Sequence, residues 1–216
     1  MRRFRSFPAR VQPARQAVHP DHDRLRRHPT MALKATIHKA QLQLSDMDRH
    51  VYGEHSLTVA RHPSETDERM MLRILAYALN VPADDLQGRL EFSKGLSDVE
   101  EPPLWQLDLT GQVVHWIELG QPDERRLRQA HGRADRVTVI GYASSTPVWW
   151  AGIQNKLQRT PKLAVWQIPA EQAQALAALA ERGMQWQVSI QDGTAYVSTE
   201  KGAVEITPQL LKEREA

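Results

Sequence analysis

Residues 104–120 read LWQLDLTGQVVHWIELG, and their patterning decides the fold. Thr110-Gly111 is a turn signal between two apolar-rich runs, so the stretch reads as a hairpin. In its second strand both parities are apolar: Val113, Ile117 and Leu119 on one, Val114 and Trp116 on the other. A strand of that kind is central, with both faces covered. It ends in a single carboxylate, Glu118, followed by a Gly120-Gln121-Pro122 break.

Downstream of the hairpin, a helix is expected from Pro122 to about His131 with Gly132 at its C′ position. A strand RVTVIGYA, a helix over about 148–157, a strand KLAVWQI and a helix AEQAQALAALAERG follow. Turn signals at Asp192-Gly193 and Lys201-Gly202 make the tail a three-stranded meander. Upstream, Leu33, Ala35 and Ile37 alternate with Lys34, Thr36 and His38, the mark of a half-buried strand. It is paired as a hairpin with a strand over about Glu54–Arg61. Ser64 then caps a helix whose apolar stripe is Met71, Ile74, Leu75, Ala78 and Leu79. Strand RLEFSKGL leads back into the central hairpin. The expected class is α/β (α+β): a mixed central sheet flanked by helices, with antiparallel hairpin and meander additions at the two ends.

The chain has 216 residues, enough for one domain with a core that needs no staples. It contains no cysteine, which excludes disulfides, thiol nucleophiles and thiolate-bound zinc and fits a cytoplasmic location. No segment approaches the length of a membrane span. Residues 1–30 hold eight arginines against Asp21 and Asp23, with four prolines and no apolar periodicity, and read as a disordered arm. Met31 opens the first clean strand pattern, so translation is expected to start there, with 1–30 an upstream extension and 31–216 a single domain. Taking the arm's eight Arg and two Asp from the totals of 28 Lys+Arg and 26 Asp+Glu leaves 20 against 24, a net −4. The basic character belongs to the arm and does not point to nucleic acid.

The chain lacks the GxxxxGK[ST], GxGxxG, HExxH and GxSxG signatures. Three of its nine histidines lie in the arm and the others are scattered, and nothing near Ser144-Ser145 supplies a base. The remaining candidates are acidic. Glu68 sits in register with Leu75 on the first helix, Glu100 and Glu101 precede Pro102-Pro103 at the mouth of the hairpin, and Glu118 ends the central strand. Three such oxygens suit Mg²⁺ or Mn²⁺, and a bound ion can activate water for phosphodiester cleavage. Each acid also has a plain structural reading: Glu68 in an ion pair at the core rim, Glu101 solvated in a loop, Glu118 where its strand meets water. Arg125, Arg126 and Arg128 likewise read as a solvated helix face pairing with Asp123 and Glu124.

The stretches MALKATIHKAQLQLSDMDRH, LTVARHPSETDERMMLRILAYAL, WIELGQPDERRLRQAHGRADRV and IQDGTAYVS resemble the YaeQ family of bacterial proteins, from Met31 to about Ile206. The resemblance implies a variant of the PD-(D/E)XK, restriction-endonuclease-like fold. By position, Glu68 is then the helix acid, EEPPLW stands where the PD motif falls, and Glu118 opens the (D/E)XK motif. Pro103 replaces the PD aspartate, so Glu101 or Asp108 has to stand in. Gly120 replaces the lysine, with Gln121, Arg125 or Arg126 to deputise. Two functions follow. In one, Glu68, Glu101 and Glu118 hold Mg²⁺ or Mn²⁺ while Gln121 and Arg125 position phosphate or water, making a metal-dependent phosphodiesterase acting on nucleic acid. In the other, the core is a non-catalytic scaffold that binds a protein partner.

Overall fold

The computed structural model describes residues 34–94, 98 and 100–215. The arm expected over 1–30 and the start expected at Met31 lie outside them.

Strand β1 (Thr36–Asp46) turns back through His50, at φ 57°, into β2 (Val51–Arg61), and the two pair along their whole length from Thr36–Arg61 to Asp46–Val51. The strand does alternate, but on the opposite parity to the one expected at its start: Ile37 is 50% exposed and His38 is buried, in line with Ala40, Leu42 and Leu44, while Lys39, Gln41 and Gln43 face out. β2 begins three residues before the expected Glu54 because the tight turn lets Val51 pair at once.

Helix α1 (Asp67–Asn80) is capped by Thr66, not by Ser64 as expected. Thr66 has the extended backbone of a cap residue and its Oγ1 accepts the Arg69 N–H at 3.1 Å. The Ser64 hydroxyl is engaged upstream with His62 Nδ1. The expected one-sided stripe is also corrected. Met70, Met71, Leu72, Ile74, Leu75, Ala76 and Ala78 are all essentially inaccessible, so α1 is wrapped by core around most of its circumference.

After it come β3 (Arg89–Phe92), β4 (Leu104–Leu107), β5 (Val113–Leu119), α2 (Glu124–Arg133) and β6 (Ala134–Gly141). α3 (Thr146–Ile153) runs into a 3-10 turn at Gln154–Leu157, followed by β7 (Leu163–Gln167), α4 (Ala170–Ala177), β8 (Gly183–Gln191), β9 (Thr194–Thr199), β10 (Gly202–Ile206) and β11 (Gln209–Lys212). Gly132 lies inside the last turn of α2 and the cap is Ala134, so the chain enters β6 without a glycine C′ turn.

The strands form two mixed sheets, ordered β10-β9-β8-β1-β2 and β11-β7-β6-β5-β4-β3. The terminal hairpin and meander are joined by parallel pairing of β1 with β8 and so make a sheet of their own. In the second sheet β5 pairs antiparallel with β4 and parallel with β6, as its doubly apolar sequence required. Ile117 and Leu119 belong to the core that holds α1 and the first sheet, while Trp116 packs with Val137, Val139, Leu127 and Trp150 in a separate cluster against α2 and α3. Among the described residues, no helix is long and apolar enough to cross a membrane.

Candidate functional site

Glu118 shares parity with Trp116, so its side chain leaves β5 on the α2 side of the sheet. It is 5% exposed. Its Oε1 accepts two hydrogen bonds, from Trp116 Nε1 at 2.8 Å and Arg126 Nε at 2.6 Å. Arg126 is placed by the start of α2, where the Asp123 carboxylate accepts the Arg126 backbone N–H at 2.7 Å and caps the helix. Its guanidinium carbon stands 5.1 Å from the centroid of the Trp116 ring, and its Nη2 donates to the Glu101 carbonyl at 2.8 Å.

These groups border a pocket of about 390 Å³ lined by Asp98, Glu101, Glu118, Gln121, Asp123 and the guanidinium-bearing Arg69 and Arg126, with Leu119 and prolines 103 and 122. The Glu101 carboxylate accepts the Lys94 backbone N–H at 3.0 Å and meets Lys94 Nζ at 3.4 Å. Gln121 Nε2 donates to Ser145 Oγ at 2.7 Å, tying the break after β5 to the start of α3. Gly120 has φ +95°, a conformation that favours glycine. A Cβ there would lie 3.9 Å from Arg69 Nη1, which donates to the Leu119 carbonyl at 2.9 Å.

Of the five residues singled out from the sequence, Glu101, Glu118 and Gln121 come together in this pocket, and Glu68 and Arg125 are not among those lining it. Glu68 is half-buried in the first turn of α1, where burial pushes its carboxyl above the usual range. Arg125 is exposed. Asp108, the other stand-in for the PD aspartate, closes the hairpin turn. Hydrogen bonds from the Thr110 hydroxyl and the Gln112 and Thr110 backbone hold its carboxyl below the usual range. Pro102 and Pro103 are both buried.

Two residues of this region were missed from sequence. Glu65 is buried at 4% exposure and accepts Arg73 Nη2 at 2.7 Å, with Arg69 Nε at 3.7 Å from its other oxygen. The cation beside Gly120 is Arg69, from α1, and neither Arg125 nor Arg126. The signal was present as Glu65, Arg69 and Arg73 at successive four-residue spacings, the acid just ahead of the Thr66 cap and the two arginines on one face of α1. Among the described residues, no group of three or more His, Asp or Glu side chains is placed to hold a metal ion.

A sequence model described as YaeQ protein matches residues 31–208. The chain belongs to the YaeQ family. The uncharacterized protein YaeQ of Escherichia coli (strain K12) is 43% identical over 177 residues, covering 82% of this chain and 95% of its own length, and that of Salmonella typhi is 42% identical over the same number. The crystal structure of YaeQ from Xanthomonas axonopodis pv. citri superposes with a TM-score of 0.78 at 47% identity, covering 82% of this chain and 98% of that one. YaeQ from Pseudomonas syringae gives 0.76 at 38%, covering 83% and 97%. The mixed α+β architecture with two sheets is therefore that of YaeQ proteins.

Proposed function

We propose that this YaeQ protein is a non-catalytic binding protein that keeps a nuclease-type core as a scaffold for a protein partner. The observation that carries this reading is the Glu118–Arg126 pair. The carboxylate at the end of the central strand has its charge met by a guanidinium of its own chain at 2.6 Å, in the place where a nuclease would bring a cation from solution. Metal ligation through Glu118 and Glu101 requires the pairs with Arg126 and Lys94 to open. Two sequence departures support the same reading: Pro103 stands where the PD aspartate falls and Gly120 where the lysine falls. The net charge of −4 over residues 31–216 favours a protein over a nucleic-acid partner, since phosphate neutralisation needs several well-placed cations.

One observation favours the metal-dependent phosphodiesterase as a second reading. Asp98, Glu101, Glu118 and Asp123 all border one pocket, with the Arg69 guanidinium beside Gly120, and although no three of these acids are grouped to hold an ion as they stand, oxygen ligands of this kind suit Mg²⁺ or Mn²⁺. Calorimetric titration of Mg²⁺ and Mn²⁺ into the full chain and its Glu118→Ala and Arg126→Gln variants separates the two. The scaffold reading expects no metal binding by the unchanged chain and no metal-dependent cleavage of single- or double-stranded DNA or RNA. Metal binding that disappears in Glu118→Ala, accompanied by cleavage, overturns it.

A further inference from the structure

Away from Glu118, toward the opposite end of the parallel strands, β5–β6 pairing sets His115 beside Arg136. His115 is fully buried. Its Nε2 lies 2.8 Å from Thr138 Oγ1 and its Nδ1 2.8 Å from Arg136 Nη2. A guanidinium only donates. Nδ1 is therefore the acceptor, the ring proton sits on Nε2 and points to Thr138, and the imidazole is neutral. Arg136 thus receives a hydrogen-bond partner but no countercharge.

Arg136 forms one wall of a cleft of about 590 Å³ together with Arg49, Arg214, Gln106, Asp84 and Asp135. Arg49 is already matched: its Nε meets Asp46 at 2.6 Å and its Nη atoms donate to the carbonyls of Val81 and Ala78. Arg136 and Arg214 form no ion pair with any described carboxylate. Burial, and then the nearby Arg214 and Arg49, push the Arg136 guanidinium below its ordinary range, and the same three arginines, after burial, hold His115 well below its own. A half-buried Arg136 beside two further guanidiniums and without an ion pair of its own is electrostatically unfavourable until an anion sits next to it.

We propose that this cleft binds a small phosphate ester, with the phosphoryl group on Arg136 and Arg214. Guanidinium forks match phosphate oxygens in geometry as well as charge. The volume falls within the range of small-molecule sites, larger than a bare phosphate requires, and Leu79 and Val114 give the remainder of the ligand an apolar surface. Asp84 and Asp135 on the same rim select an ester whose body carries hydroxyl or amino donors, as in a sugar phosphate or a nucleotide. The proposal is independent of the Glu118 pocket.

The test is calorimetric titration of orthophosphate, ribose 5-phosphate and adenosine 5′-monophosphate into the full chain and into Arg136→Gln and Arg214→Gln, with sulfate as ionic control. The expected result is saturable binding of an ester, tighter than orthophosphate or sulfate, and weakened at least about tenfold in either variant. Arg214 is exposed, so Arg214→Gln keeps the test meaningful if Arg136→Gln fails to fold. A second readout is the His115 ring ¹⁵N resonance, which shifts as the anion docks on Arg136. Absence of ester binding by the unchanged chain, or binding equally strong in a folded variant, overturns the proposal. Equal affinity for orthophosphate overturns the ester assignment.

Discussion

Arg126 of α2 reaches Glu118 of β5 with Nε at 2.6 Å from Oε1, and the same guanidinium donates to the Glu101 carbonyl ahead of β4. One side chain therefore ties a helix to β5 and to the segment leading into β4, at a carboxylate that is 7% exposed as a side chain. Removing one partner strands the other. Arg126→Met is expected to cost about 3–5 kcal/mol, the usual penalty for an uncompensated buried charge. Adding Glu118→Leu to Arg126→Met is expected to restore much of it. Urea unfolding of the single and double variants measures both, and equal losses in the two would show that the pair is not what the helix depends on.

The carboxylate near the start of α1 that matters to folding is Glu65, just ahead of the Thr66 cap. Its side chain is 3% exposed and paired with the similarly buried Arg73. Glu65→Ala is expected to lose about 3–5 kcal/mol, whereas Glu68→Ala stays within about 0.5 kcal/mol. Thermal or urea melts of the two variants side by side decide between them.

His115 makes stability depend on pH. Burial first, then Arg136, Arg214 and Arg49, hold its pKa well below 6.5, so the folded protein resists a proton that the unfolded chain accepts. The unfolded state then binds more protons below pH 6.5, and stability falls as the pH drops through that window. Urea midpoints measured from pH 7.5 down to 5 should decline, and His115→Gln should flatten that decline. An unchanged slope in the variant would assign the pH dependence to other groups.

Gly88, at φ +83°, sits where a Cβ would overlap the Leu107 carbonyl oxygen in β4, backbone that cannot swing aside. Gly88→Ala adds overpacking of about 1–3 kcal/mol to a left-handed penalty of about 1–2 kcal/mol. A loss of about 2–5 kcal/mol in urea unfolding is the expected result, and a near-neutral variant would mean that β3 moves freely relative to β4.

Element types and their order, apart from the edge strand β11, were legible in the chain because they rest on local patterns. Period-two alternation marked β1, the doubly apolar run marked β5 as central, and Asp192-Gly193 with Lys201-Gly202 marked the meander. The cap at Thr66 and the burial of α1 on nearly every side were not legible. Ser64 and Thr66 are both competent caps, and which of them works depends on how His62 to Glu65 fold back. The second face of α1 becomes core only because β1 and β8 pair across 144 residues of chain, as in Lys39–Gly183, to bring a second sheet over it.

The same division runs through the candidate sites. By itself the sequence determined that Glu118 stands near the end of a buried central strand and that the family is YaeQ. Tertiary structure alone decided that Arg126 meets Glu118, that Arg69 occupies the space beside Gly120, and that Arg136 and Arg214 share a cleft. The physical reason is that spacing along a strand or helix sets which face a side chain occupies. Which charge it meets there depends on elements tens of residues away, placed by burial of their apolar faces.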